Sequence, residues 1–160
     1  MLNLLILSKN YTKDFELMCQ ISLNVYETMN VLPLKHVAPV WKIMLQQPDL
    51  TFRSKFRQKL SQKLRNTDII VAKNSSDRDQ LNSWTMKEAI DILRALRNVI
   101  HDYKIWLKVD QLIQNAIVTD PNANKITLND LMDTINTLAY KEVQNIDTWQ
   151  FLSSRFLGKL

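Results

Sequence analysis

The stretch LSKNYTKDFELMCQISLNVY, from Leu7, lies without a gap over LAYKEVQNIDTWQFLSSRFL, from Leu138. Leu7 falls on Leu138, Met18 on Trp149, Ile21 on Leu152 and Val25 on Phe156. A chain that repeats at this scale must stack its copies, because one helical hairpin cannot cover its own apolar face. Two more copies fit with shifted spacing. The second helices then present the stripes Ile21/Val25/Met29, Phe56/Leu60/Leu64, Val109/Ile113/Ile117 and Leu152/Phe156/Leu160. Steps of four residues mark the buried side of a helix.

The polar columns agree with the apolar ones. Seven residues ahead of each stripe stands Asp14, Asp49, Asp102 or Asn145, a side chain that accepts from the free N–H groups opening a helix. The first helices share an entry as well, at Leu32-Pro33, Trp84-Thr85 and Ile126-Thr127. Thr85 with Glu88 forms a capping box, and Thr127 with Asp130 is a near match. The apolar residue before each start is expected to staple onto Val37, Ala89 or Leu131 one turn in.

These columns predict an all-α domain over 1–160, an α-solenoid of about four hairpins at 1–30, 31–73, 84–119 and 126–160. The spacing is uneven because TDIIVAKNSSDRDQLNS, at 67–83, is inserted; it reads as a helix extension followed by a polar loop. Composition supports the helical reading, since one glycine (Gly158) and four prolines cannot supply the turns of a β-rich fold. Lys141 and Gln144 fall in a polar connector and are expected to tolerate truncation. The array starts inside one hairpin and reaches Leu160 on a stripe, so apolar patches are expected at both ends, for neighbouring protein subunits to cover.

Hairpins with a first helix like LNDLMDTINTLAY, a polar connector and a second helix like WQFLSSRFL resemble octotricopeptide/heptatricopeptide repeats. Those are related to the repeat region of FAST-kinase-domain and RAP-domain proteins. HEAT-like and tetratricopeptide-like pairs fit the same columns. The resemblance implies organellar RNA binding or RNA processing, or membership of a mitochondrial ribosome or another complex of the mitochondrial matrix.

Charge singles out one segment. The net charge of +5 is concentrated at 51–66, where Arg53, Lys55, Arg57, Lys59, Lys63 and Arg65 occur with no acid. They are the candidate RNA-binding residues, because cations along one helix suit a phosphate backbone, rRNA under the resemblance. The competing reading is a solvated face with buried aliphatic stems, which suits Lys63 beside the stripe.

Other candidate chemistry reduces to structure. Trp41 and Trp84 align with leucines and isoleucines and read as core or staple. Trp106 and Trp149 share a column with Met18 and Arg53 at the stripe's flank, which suits packing between hairpins better than base stacking. Asp130/Asp133 and Glu88/Asp91 sit near helix starts, where the dipole favours acids. His36 and His101 have no metal-ligand partners at suitable spacing, and one glycine leaves no phosphate-cradling loop. The expectation is a non-catalytic protein with no cofactor and no metal. Cys19 has no disulfide partner within the chain, and no apolar run is long enough to span a bilayer. MLNLLILSKN lacks the basic flank and cleavage site of a signal peptide.

Overall fold

The computed structural model describes residues 15–35, 44, 49–71, 83–98 and 100–160. Regular structure among them is helical, with no strand: α1 (Phe15–Thr28), α2 (Leu50–Asn66), α3 (Met86–Leu96), α4 (Tyr103–Thr119), a 3-10 turn at Ala123–Lys125, α5 (Leu128–Tyr140) and α6 (Ile146–Leu157). Asp14, His36, Val37, Trp41, the side chains of Met18 and Ile21, and most of the insertion lie outside the described residues. The chain divides into two compact units, Met1–Thr67 and Asp68–Leu160.

Helix starts follow the capping columns. Asp49 accepts from the amides of Thr51 at 2.9 Å and Phe52 at 3.2 Å, Asp102 from Lys104 at 2.9 Å, and Asn145 from Thr148 at 3.1 Å. Thr85 and Thr127 accept from Glu88 and Asp130, each at 3.1 Å. Each bond satisfies an N–H that has no partner inside the helix. Trp84 and Ile126 are buried, as are Ala89 and Leu131 one turn in.

In the first unit, α1 and α2 bury Val25, Met29, Phe56, Leu60 and Leu64. Phe52 extends this cluster, 6.0 Å from the Tyr26 ring and 6.4 Å from Phe56. The expected helix extension beyond α2 does not form. Thr67 caps the helix, its hydroxyl returning to Lys63 O at 2.6 Å, and residues 68–71 leave without helical structure.

The second unit is two stacked hairpins, α3/α4 and α5/α6. Helix α3 packs on α5 and α4 on α6, besides the contacts within each hairpin. Where α4 ends against the start of α3, Asp120 accepts from the Met86 amide at 2.8 Å, and the Thr119 hydroxyl lies 3.3 Å from Trp84 O. Val109, Leu112, Ile113 and Ala116 on α4 are fully buried. Ile117, expected on the stripe, is only half-buried, because the stripe drifts around the cylinder over two turns.

Three polar ties cross between the hairpins. Asp110 on α4 accepts from the Thr148 hydroxyl of α6 at 2.7 Å, while Gln114 donates to its other oxygen at 2.6 Å. Arg94 on α3 bridges Asp130 (2.6 Å) and Asp133 (2.8 Å) on α5, and Arg97 reaches Asp133 at 3.2 Å. The dipole therefore accounts for only part of that carboxylate pair. Burial would raise the Asp133 carboxyl, but hydrogen bonds and charge from Arg94 and Arg97 hold it below its ordinary value.

The third tie overturns the expectation for Lys141. This residue is only 8% exposed, and its ammonium donates to Ile100 O of the other hairpin at 2.9 Å. The turn after α5 puts it there. Glu142 takes a left-handed conformation (φ 58°), its amide bonds Ala139 O, and the Val143 amide returns to Leu138 O at 3.0 Å. That is the Schellman pattern, and its apolar clasp is the buried pair Val143 and Leu138. Gln144, the other connector residue, is exposed as expected.

Ile113→Ala should cost roughly 2–5 kcal/mol in urea melts followed by tryptophan fluorescence. Lys141→Ala should cost about 1–2 kcal/mol, through the missing charged hydrogen bond and the packing of its stem. Gln144→Ala should stay within about 0.5 kcal/mol of wild type. Equal effects at Lys141 and Gln144 would contradict the tie.

Burial raises the Asp110 carboxyl above its ordinary value of 3.8, with the Thr148 and Gln114 bonds opposing the shift. The folded state then holds this proton more tightly than the unfolded chain does. Stability from this group falls as pH rises through the ordinary value toward the raised one. The melting temperature of Asp110→Asn relative to wild type should therefore rise as pH goes from about 4 to neutral. A difference independent of pH would contradict this.

Candidate nucleic-acid interface

Helix α2 carries all six basic candidates, and its structure divides them. Lys59 turns onto the end of α1, donating to Tyr26 O at 2.6 Å with its ammonium 4.0 Å from the Tyr26 ring centre. Lys63, one turn on, reaches Asn30 O at 3.5 Å. Carbonyls at the end of a helix lack amide partners and sit at the negative end of its dipole, so lysines there are stabilising. These two cations close α1 onto α2. Burial holds the Lys63 ammonium below its ordinary value.

Arg53 and Arg57, also one turn apart, form a second group. Both are half-buried, and the Arg53 Nε is buried with no hydrogen-bond partner among the described residues. Burial first, then the charge of Arg53, lowers the Arg57 guanidinium from its ordinary value. On a helix with no acid, these two guanidiniums add to its positive potential. Lys55 and Arg65 are exposed but lie almost three turns apart, so the six cations do not make one continuous row.

The tryptophans behave as packing residues. Trp106 and Trp149 occupy equivalent places four residues after the caps Asp102 and Asn145, and each indole N–H bonds a carbonyl six residues back. Trp106 bonds Ile100 O at 2.9 Å and Trp149 bonds Val143 O at 2.8 Å. Trp106 is fully buried and Trp84 nearly so. Trp149 is half-buried and lines an apolar groove on α6 with Ile146, Ser153 and Leu157.

That groove has a meaning in the repeat register. Counted from the caps, Trp149, Ser153 and Leu157 correspond to Trp106, Asp110 and Gln114 on α4. On α4, this face is occupied: Thr148 bonds Asp110, and the Lys141 ammonium lies 5.1 Å from the Trp106 ring centre. On α6 it is open, with Ile146 72% and Leu157 67% exposed. Phe156 is half-buried and Leu160 exposed, so only Leu152 of the fourth stripe is fully enclosed.

Sequence reading missed the cluster at His101, Tyr140 and Lys141, where the two hairpins meet. The exposed His101 ring places Nδ1 3.1 Å from the Lys141 ammonium, and Tyr140 is 75% exposed beside it. A signal was present, since His101 precedes the Asp102 cap and Lys141 follows α5, positions that stacked hairpins bring together. Among the described residues, no cluster of three or more His, Cys, Asp or Glu residues suits a metal ion. No described helix is long and apolar enough to cross a membrane.

No protein-family model, curated protein or solved structure matches this chain. The repeat resemblance rests on the residue columns alone.

Proposed function

We propose that the chain is a non-catalytic helical-repeat subunit of a ribonucleoprotein, and that α2 contacts its RNA. The observation that carries this reading is the succession of Arg53, Lys55, Arg57, Lys59, Lys63 and Arg65 on a helix without acids. An RNA phosphate beside this helix would be attracted by its basic residues, which no acid on the helix offsets. The four-hairpin solenoid belongs to the same reading. It is supported by two stacked hairpins in the second unit and by an Asp49 cap on α2 that matches Asp102 and Asn145. The organellar setting, a mitochondrial ribosome with rRNA as the nucleic acid, comes from the repeat resemblance.

A second reading, a protein-binding scaffold or accessory subunit of a respiratory or ATP-synthase complex, is favoured by a different observation. Lys59 and Lys63 are engaged within the fold, while the α6 groove offers an apolar surface in the register of an occupied one. Nuclease treatment of the native assembly separates the two: RNA-dependent neighbours support the first, and nuclease-resistant neighbours the second.

The direct test is RNA affinity measured across a salt series. Arg53→Gln, Lys55→Gln and Arg57→Gln together should weaken binding. They should also reduce the salt slope by up to about 0.7–0.9 for each phosphate no longer neutralised. Lys59→Gln should lower the melting temperature and leave that slope nearly intact. A triple variant with unchanged affinity and slope would favour the scaffold reading.

A further inference from the structure

Lys141 holds a buried charge that the fold only partly compensates. Its ammonium has three protons, donates to Ile100 O, and lies 3.1 Å from His101 Nδ1. The rings of Trp106 and Tyr140 lie 5.1 and 5.2 Å away. Among the described residues no carboxylate pairs with it. Withdrawing a cation from water without a counter-charge is unfavourable, and burial accordingly holds this ammonium below its ordinary value.

The surroundings complete a receptor. Lys141, His101 and Tyr140 form the wall between two adjoining hollows, of about 480 Å³ and about 300 Å³, at the scale of small-ligand pockets. The larger hollow adds Arg97 and the amide side chains of Asn98 and Asn136. The smaller adds Tyr103, 48% exposed, and Glu142, the acid on this rim. Because His101 Nδ1 faces an ammonium, it is the accepting nitrogen, which puts the ring proton on Nε2. The seam thus gathers a cation, an imidazole N–H, two amides and exposed phenol rings.

We propose that this seam binds a backbone phosphate of single-stranded RNA, the oxyanion on Lys141 and His101 Nε2–H and the adjoining base against the Tyr140 ring. A phosphate oxygen supplies the missing counter-charge through charge-assisted bonds. Stacking on a tyrosine accepts any base, so the contact is tolerant of sequence. The choice of RNA as the source of the phosphate rests on the ribonucleoprotein reading. The site itself belongs to the second unit and shares no residue with α2.

The test uses the full chain, isotope-labelled, with amide NMR spectra followed against a single-stranded uridine decamer and, separately, inorganic phosphate. The decamer should give saturable shifts at Asn98, His101 and Tyr140 to Glu142, with affinity at least tenfold above that of phosphate at the same amides. Tyr140→Ala and His101→Ala replace exposed side chains, so spectra elsewhere should stay native. Each should weaken the seam shifts at least threefold. Decamer binding that perturbs α2 alone would overturn the seam site and leave the ribonucleoprotein reading standing. Seam shifts that persist when Arg53, Lys55 and Arg57 are all replaced would support the seam, whatever becomes of α2. Equal affinity for phosphate and decamer, or full affinity in both variants, would overturn the proposal.

Discussion

Helix α4 buries nine of its seventeen residues, more than any other described helix, and the second unit is arranged around that fact. Its stripe residues Val109 and Ile113 are buried as expected, but so are Asp110, Asn115 and Thr119. A polar group withdrawn from solvent must find a partner or it destabilises the fold by more than its bond is worth. Each of these finds one on a different element: Thr148 on α6, Ile70 O on the segment after the first unit, and Trp84 O before α3. Apolar contact alone would tolerate sliding of α4 along its neighbours. The polar partners favour one register, because a one-residue slip would break these three bonds to neighbouring elements.

A second device recurs in both units. Lysines from one helix or connector donate to carbonyls at the end of an earlier segment: Lys59 to Tyr26 O, Lys63 to Asn30 O and Lys141 to Ile100 O. Each places a cation where backbone acceptors are in excess. One consequence bears on function. Positive charge in this chain divides between clasping the fold and facing outward, so a simple count of basic residues overstates the surface available to phosphate. On α2, Lys55 and Arg65 are exposed and Arg53 and Arg57 half-buried, and the cluster at Lys141 combines both roles.

The regular part of this architecture was legible in the residues. Asp49, Asp102, Asn145, Thr85 and Thr127 cap the helices they were expected to open, since a cap depends on a few neighbouring atoms that the sequence places locally. The stripes at Phe56/Leu60/Leu64 and Val109/Ile113 are buried for the same reason. Long-range polar ties were not legible. Lys141 looks like a solvated connector residue until Glu142 adopts its left-handed turn and Ile100 O arrives from another hairpin. Asp110 and Asn115 look like ordinary polar flanks of a stripe until α6 and residue 70 close over them. The helix ends after Asn66 because Thr67 takes an extended backbone there, which the stripe periodicity does not register.

If α4 is the element on which the second unit depends, its amides open only when the whole unit unfolds. Native-state hydrogen exchange measures this directly. Val109, Ile113 and Ala116 should exchange with the free energy of global unfolding of the unit, while α6 amides near Leu157 exchange through smaller openings. Amides of α4 that exchange as readily as those of α6, with α3 and α5 still protected, would contradict the central place given to α4.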